Sequence, residues 1–167
     1  MIDETTARLA LPLLQPGQAQ KELYHNEALA LLDLATQAVV EAVGVDTPPA
    51  APALGACWVV GGAPVGDWAG QALAIAGWTS GGWRFVAARD GMCVWNRTEG
   101  QPSRFDGAVW RSGELRGSKL VIAGEQVIGA RQPGIADPAG GANIDSEARS
   151  AIVGILATLR GHGLIQV

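Results

Sequence analysis

All six tryptophans of this chain fall between residues 55 and 113: Trp58, Trp68, Trp78, Trp83, Trp95 and Trp110. Both cysteines, Cys57 and Cys93, and both phenylalanines, Phe85 and Phe105, lie in the same stretch, and the only aromatic residue elsewhere is Tyr24. Glycines punctuate it, often directly before a tryptophan, as in Gly77-Trp78 and Gly82-Trp83. Short aromatic runs that turn on glycine specify strands joined by tight turns, so the stretch reads as a compact β-module. With 23 glycines and 9 prolines in 167 residues, long regular elements have little room anywhere.

Within the module the spacing predicts strands over 56–60, 72–78, 83–87 and 92–96, and a last small hairpin of 103–105 with 108–110. Thr79-Ser80-Gly81-Gly82 and Asp90-Gly91 supply turn signals. The two-residue strand period places Trp83 with Phe85 on one face, and Cys93 with Trp95 on another.

The flanks read differently. Residues 1–16 form an arm in which Leu9-Ala10-Leu11-Pro12-Leu13-Leu14 is apolar but interrupted by proline. Such an arm must lie against its own core or against a neighbour. Residues 18–37 carry the clearest helical signal, with Tyr24, Ala28, Leu31 and Ala35 on one stripe, Leu29 and Leu32 beside it, and Leu34 near the opposite side. A helix end that is apolar nearly all round is buried on more than one side. In so small a chain this points to a contact between subunits through Leu9, Leu11, Leu13, Tyr24, Leu31 and Leu34. Residues 38–45 are β-branched and read as one strand, and the proline-rich 46–52 as a loop.

Beyond the module, 120–122 and 126–128 flank Ala123-Gly124-Glu125 as a further hairpin, and 131–143 is loop. A second helix opens at Asp145, a good N-cap, runs along an apolar stripe of Ala148, Ala151, Ile152, Ile155, Leu156 and Leu159, and stops at Gly161 or Gly163. The expected fold class is therefore α+β: an N-terminal arm and helix, a small antiparallel Trp-rich β-barrel or sandwich, and a C-terminal helix. The expected parts are 1–45 (arm, attachment helix and short strand), 55–130 (the Trp/Gly-rich β-module) and 143–167 (C-terminal helix and tail).

Charge and composition exclude several classes. A net charge of −4 with scattered cations argues against nucleic acid as a partner. The first eight residues carry two acids where a secretory leader carries positive charge, and no apolar run approaches the ~18–20 residues of a membrane span. Synthesis in the cytoplasm is expected, with any exit by another route such as lysis. Two cysteines are too few for a disulfide framework and read as buried reduced thiols, with their pairing left open.

Three stretches together carry a resemblance. They are Leu9-Ala10-Leu11-Pro12 with Pro16-Gly17-Gln18-Ala19-Gln20-Lys21-Glu22 and His25-Asn26-Glu27-Ala28-Leu29; the Trp-rich middle, including Gly82-Trp83-x-Phe85 and Phe105-Asp106-Gly107-x2-Trp110; and Val127-Ile128-Gly129-Ala130-Arg131 with the closing His162-Gly163-Leu164-Ile165. In these the chain resembles an uncharacterised domain family of prophage and gene-transfer-agent tail, fibre or spike proteins of alphaproteobacteria. The resemblance implies a virion-type structural component, a homo-oligomer with a trimer favoured, assembled with other phage-like structural proteins near a host-contacting appendage. It brings no catalytic residues.

Exposed tryptophans are the natural ligand candidates, because a flat indole stacks on the apolar face of a sugar while nearby polar groups bond its hydroxyls. Trp68, Trp78 and Trp110 sit beside turns or at a hairpin end, with Asp67 adjacent, and are expected to meet a host surface polysaccharide if any residue does. Against this, small β-modules use tryptophan as core. His25 and His162 have no second ligand at metal spacing, and no metal or other cofactor is expected. Asp67, Asp90, Glu99 and Asp106 are the module's carboxylates, and a pair across a cleft would suit glycoside hydrolysis, but Asp90 and Asp106 precede glycine as turn residues do. With no nucleophile elbow, phosphate loop or metal motif, the expectation is not an enzyme. The leading expectation is a structural adaptor of a phage-like particle; the alternative is a carbohydrate-binding module.

Overall fold

The computed structural model describes residues 4–15, 17 and 21–167. They fall into two compact units, residues 1–114 and 115–167. In the first unit, helix α1 (Lys21–Ala35) precedes eight strands. These are β1 (Val39–Val40), β2 (Val43–Val45), β3 (Cys57–Val60), β4 (Ile75–Thr79), β5 (Gly82–Val86), β6 (Cys93–Asn96), β7 (Gln101–Phe105) and β8 (Trp110–Ser112). The helix expected over 18–37 is thus present from Lys21 on; residues 18–20 lie outside the described residues.

The strands form two four-stranded sheets, β1-β6-β7-β8 and β2-β3-β4-β5. The architecture is α+β with a sandwich-like core, and the barrel alternative falls. The expectation of purely antiparallel pairing also needs correction. Residues 38–45 do not make one strand but two short ones, each added in parallel to a different sheet: Val39 pairs with Trp95, and Val43 with Val59. At the crossing, Glu41 N donates to Cys57 O (2.8 Å) and Val59 N to Ala42 O (3.0 Å). One β-branched segment thereby ties the edges of both sheets together, a way of making a sandwich corner.

Between the sheets lie Leu34, Ala38, Val40, Cys57, Val59, Ile75 and Val94. Leu34 comes from α1 and sits so close over β4 that a Cβ at Gly77 would collide with its methyl groups. The outer face of the β2–β5 sheet carries a second core. Strand alternation sends Trp58 and Val60, Ala76, and Trp83 and Phe85 outward, and a 3-10 turn (Gly66–Trp68) in the β3–β4 connection folds Trp68 onto them. The β2–β5 sheet is therefore apolar on both faces.

The arm is not simply extended. Thr5 pairs with Pro12, Thr6 N donates to Leu11 O (2.9 Å) and Leu13 N to Glu4 O (2.8 Å). It is fastened to α1 by polar groups. Asp33, 3 % exposed, accepts from Thr6 Oγ1 (2.9 Å), Arg8 N (3.0 Å) and Leu9 N (2.6 Å). Asn26 bonds both Leu14 N and Leu14 O at 2.9 Å. The Arg8 guanidinium donates to the carbonyls of Asp33, Thr36 and Gln37, at the end of the helix where cations and donors are favoured.

The second unit holds a hairpin of β9 (Leu120–Ile122) and β10 (Glu125–Ile128), and helix α2 (Ser146–Gly161). Ala123 (φ 51°) and Gly124 (φ 86°) both take positive φ, the requirement of the tight hairpin turn. Asp145 caps α2 by accepting from Ala148 N (2.8 Å). The hairpin, expected within 55–130, falls in the unit that begins at residue 115.

Candidate functional site

Five of the six indoles are used in packing. Trp58, Trp68 and Trp83 make one mutual cluster, with Trp68 5.1 Å from Trp83 and 6.2 Å from Trp58 between ring centroids, and Trp78 joins edge-on to Trp83 at 5.0 Å. Trp110 packs on Phe105 (5.5 Å) in the other sheet and donates its Nε1–H to Leu73 O (2.8 Å).

Two of the expected residues lie inside the fold. Trp68, expected at a sugar-facing surface, is fully buried, because the turn that carries it folds its ring under Trp58 and Trp83. Its Nε1 has no hydrogen-bond partner. Leu34, expected at a subunit contact, is 1 % exposed in the core of its own unit. Trp78 and Trp110 are half-buried and Asp67 is exposed on the 3-10 turn; they lie on separate strands and turns and are not brought together as a set. Of the remaining contact candidates, Tyr24 (85 %) and Leu9 are exposed, and Leu11, Leu13 and Leu31 are half-buried.

Two of the module's carboxylates are occupied locally. Asp106 accepts from Val109 N (2.9 Å), Ala108 N (3.1 Å) and Arg111 Nε (2.9 Å), which together hold its carboxyl well below the usual carboxylate range. Glu99 accepts from Gln101 Nε2 (2.7 Å). Among the described residues no group of three or more His, Cys, Asp or Glu is placed to hold a metal ion. Both cysteines are free: Cys57 is buried, which pushes its thiol up to about 11, whereas Cys93, expected to be buried, is exposed because the odd positions of β6 face outward.

A cleft of about 490 Å³ opens between the arm, α1 and the β4–β5 turn. Glu22, Glu27, Asp33, Thr79 and Arg84 line it, and Arg84 Nε bonds the Glu27 carboxylate at 2.8 Å. Its polar groups mostly anchor arm and hairpin to the helix, and among its lining residues only Glu22 keeps a buried oxygen, Oε2, without a partner.

The residue the sequence reading passed over is Trp95. It is 47 % exposed and, alone among the six, makes no ring contact among the described residues. Strand β6 reads against hydrophobicity: Asn96 is buried and Trp95 faces outward. The buried asparagine turns the chain, with Oδ1 accepting from Glu99 N (3.4 Å) and its carbonyl from Gly100 N (2.9 Å). The signal was present in the two-residue period, which puts Trp95 opposite Val94 and Asn96 once the asparagine is recognised as the turn residue.

Residues 25–111 match the family described as Protein of unknown function (DUF2793), and the chain belongs to that family. The match spans most of α1 and nearly all of both sheets. Neither the curated proteins nor the solved structures give a match.

Proposed function

We propose that the protein is a structural component of a phage-like particle, a homo-oligomer that links the particle to a host-contacting appendage. The observation that carries the assembly half is the second unit. Across its 53 residues only Leu156 and Ile165 are buried apolar side chains. Every residue of β9 and β10 is exposed, including Leu120, Val121, Ile122, Val127 and Ile128. An isolated two-stranded hairpin is marginal in water, and so small a unit needs help from metals, disulfides or partners.

Helix α2 points to partners of its own kind. Leu156 turns inward, while Ala148, Ile152 (44 %) and Ile155 (60 %) are exposed and Leu159 half-buried. The spacing of 148, 152, 155 and 159 is the 4-3-4 repeat of a coiled-coil seam, and isoleucine at successive seam positions favours three strands over two. The particle half of the proposal rests on the resemblance in residues 9–33, the Trp-rich middle and the closing residues. Light scattering of the full chain tests the assembly: a trimer mass is expected, falling to a monomer in Ile152→Asp/Ile155→Asp. A monomeric parent at micromolar concentration would sink it.

A further inference from the structure

The outer face of the β1-β6-β7-β8 sheet is laid out by register. Val39, Trp95 and Pro102 stand opposite one another across β1, β6 and β7, and Cys93, Arg104 and Arg111 form the next row across β6, β7 and β8. Trp95 and Arg104 are therefore diagonal neighbours on adjacent strands, within reach of one ligand. Trp95 and Pro102 offer a flat apolar strip; Trp95, Pro102, Arg104 and Arg111 are all exposed.

The charges are arranged at a cost. Arg104 and Arg111 face each other directly, and like charges in that position repel. Arg111 is compensated by Asp106, with Glu114 also nearby, while Arg104 has no ion pair among the described residues. The chain as a whole carries −4, so an uncompensated guanidinium beside an unstacked indole is a local exception. An indole face binds the C–H face of a pyranose, and a guanidinium holds a carboxylate through two parallel N–H···O bonds.

We propose that this face binds an acidic polysaccharide, one sugar ring stacking on Trp95 while a carboxylate of the same or the next residue is held by Arg104. It is independent of the assembly reading, since every group named lies in one sheet of one chain.

Affinity electrophoresis of the full chain tests it, in native gels cast with polygalacturonate, hyaluronan or polysialic acid, with a single-stranded oligonucleotide, with neutral dextran, or with nothing added. Retardation by polygalacturonate and not by dextran is expected, weakened about tenfold by Trp95→Ala and by Arg104→Gln and less by Arg104→Lys. Both residues are exposed and the fold of each variant is checked by circular dichroism, with its mass measured in parallel so that a change of assembly is not mistaken for a change of site. Three outcomes overturn the proposal. One is no retardation by polygalacturonate, hyaluronan or polysialic acid. The second is equal retardation by dextran, or by the polymer in Trp95→Ala. The third is retardation by a single-stranded oligonucleotide alone, since stacked aromatics with arginine also suit unpaired bases.

Discussion

The two units of this chain solve the burial problem in opposite ways. The first places one apolar layer between its sheets and a second over the outer face of the β2–β5 sheet, and fastens its arm with polar bonds to Asp33 and Asn26. The second displays isoleucine and valine on both its hairpin and its helix and hides little. Surface apolar residues occur singly in any protein, but contiguous ones mark contacts. The difference teaches that closed packing and open apolar surface are divided along the chain at 114/115, rather than shared by the whole molecule.

The largest test of that contrast is Trp68→Ala. Removing a fully buried indole from the three-ring cluster is expected to cost about 3–5 kcal/mol in urea unfolding of the first unit. Trp68→Phe, which keeps a ring and drops the unpaired Nε1–H, costs less. A loss below about 1 kcal/mol for the alanine variant would mean that the outer aromatic layer is decoration, and the contrast between units would weaken.

Next comes a pair of substitutions one residue apart. Leu156 is buried and Ile155 is exposed on the same helix. In a monomer, Leu156→Ala is expected to cost about 2–5 kcal/mol and Ile155→Ala within about 0.5 kcal/mol. If the α2 seam is covered by other copies, Ile155→Ala gains a cost at concentrations where the parent is assembled, and that cost disappears on dilution below assembly. Equal, concentration-independent losses would break the comparison, because Ile155 would then be core within its own chain.

These residues also show what was legible in the sequence. The concentration of tryptophan and glycine gave the sheets, and Asp145 with the 148–159 stripe gave α2, because both signals are local and periodic. Residues 38–45 look like one strand because nothing local says that a β-branched run will divide between two sheets; that is settled by β3 and β6, far along the chain. The helix stripe through Tyr24 and Leu31 is exposed or half-buried, and the residues of α1 that hold the arm lie elsewhere on the helix. The inward side of α1 carries Asn26 and Asp33, whose burial is repaid by arm backbone N–H groups that no hydrophobicity pattern reveals. Trp95 was missed for the converse reason, since a buried Asn96 turned the strand's apolar side chain outward.

Asp33 supplies a smaller test. Asp33→Ala leaves Thr6 Oγ1, Arg8 N and Leu9 N without their acceptor. A cost of about 1–3 kcal/mol is expected, with amide exchange accelerated over residues 4–15 and unchanged in β3 and β4. Exchange that stays slow in the arm would show that Leu11 and Leu13 hold it without the carboxylate, and the first unit would then depend on apolar contacts throughout.

The smallest effect separates the two thiols inside the first unit. Cys57 lies between the sheets and burial raises its thiol to about 11 from an ordinary value of 9.0. A raised pKa in the folded state means that the unfolded chain loses the proton first. Stability from this group is therefore complete below pH ~9 and is lost progressively as pH rises through about 11. Between about pH 8 and about pH 10.5 the parent should lose more stability in urea than Cys57→Ala does, the difference between the two curves isolating this one thiol. Cys93, exposed on the Trp95 face, is expected to react with a disulfide reagent at once in native protein, and Cys57 only at the rate of opening of the core. Two fast thiols would mean that the layer between the sheets opens readily, and the first unit would be no better closed than the second.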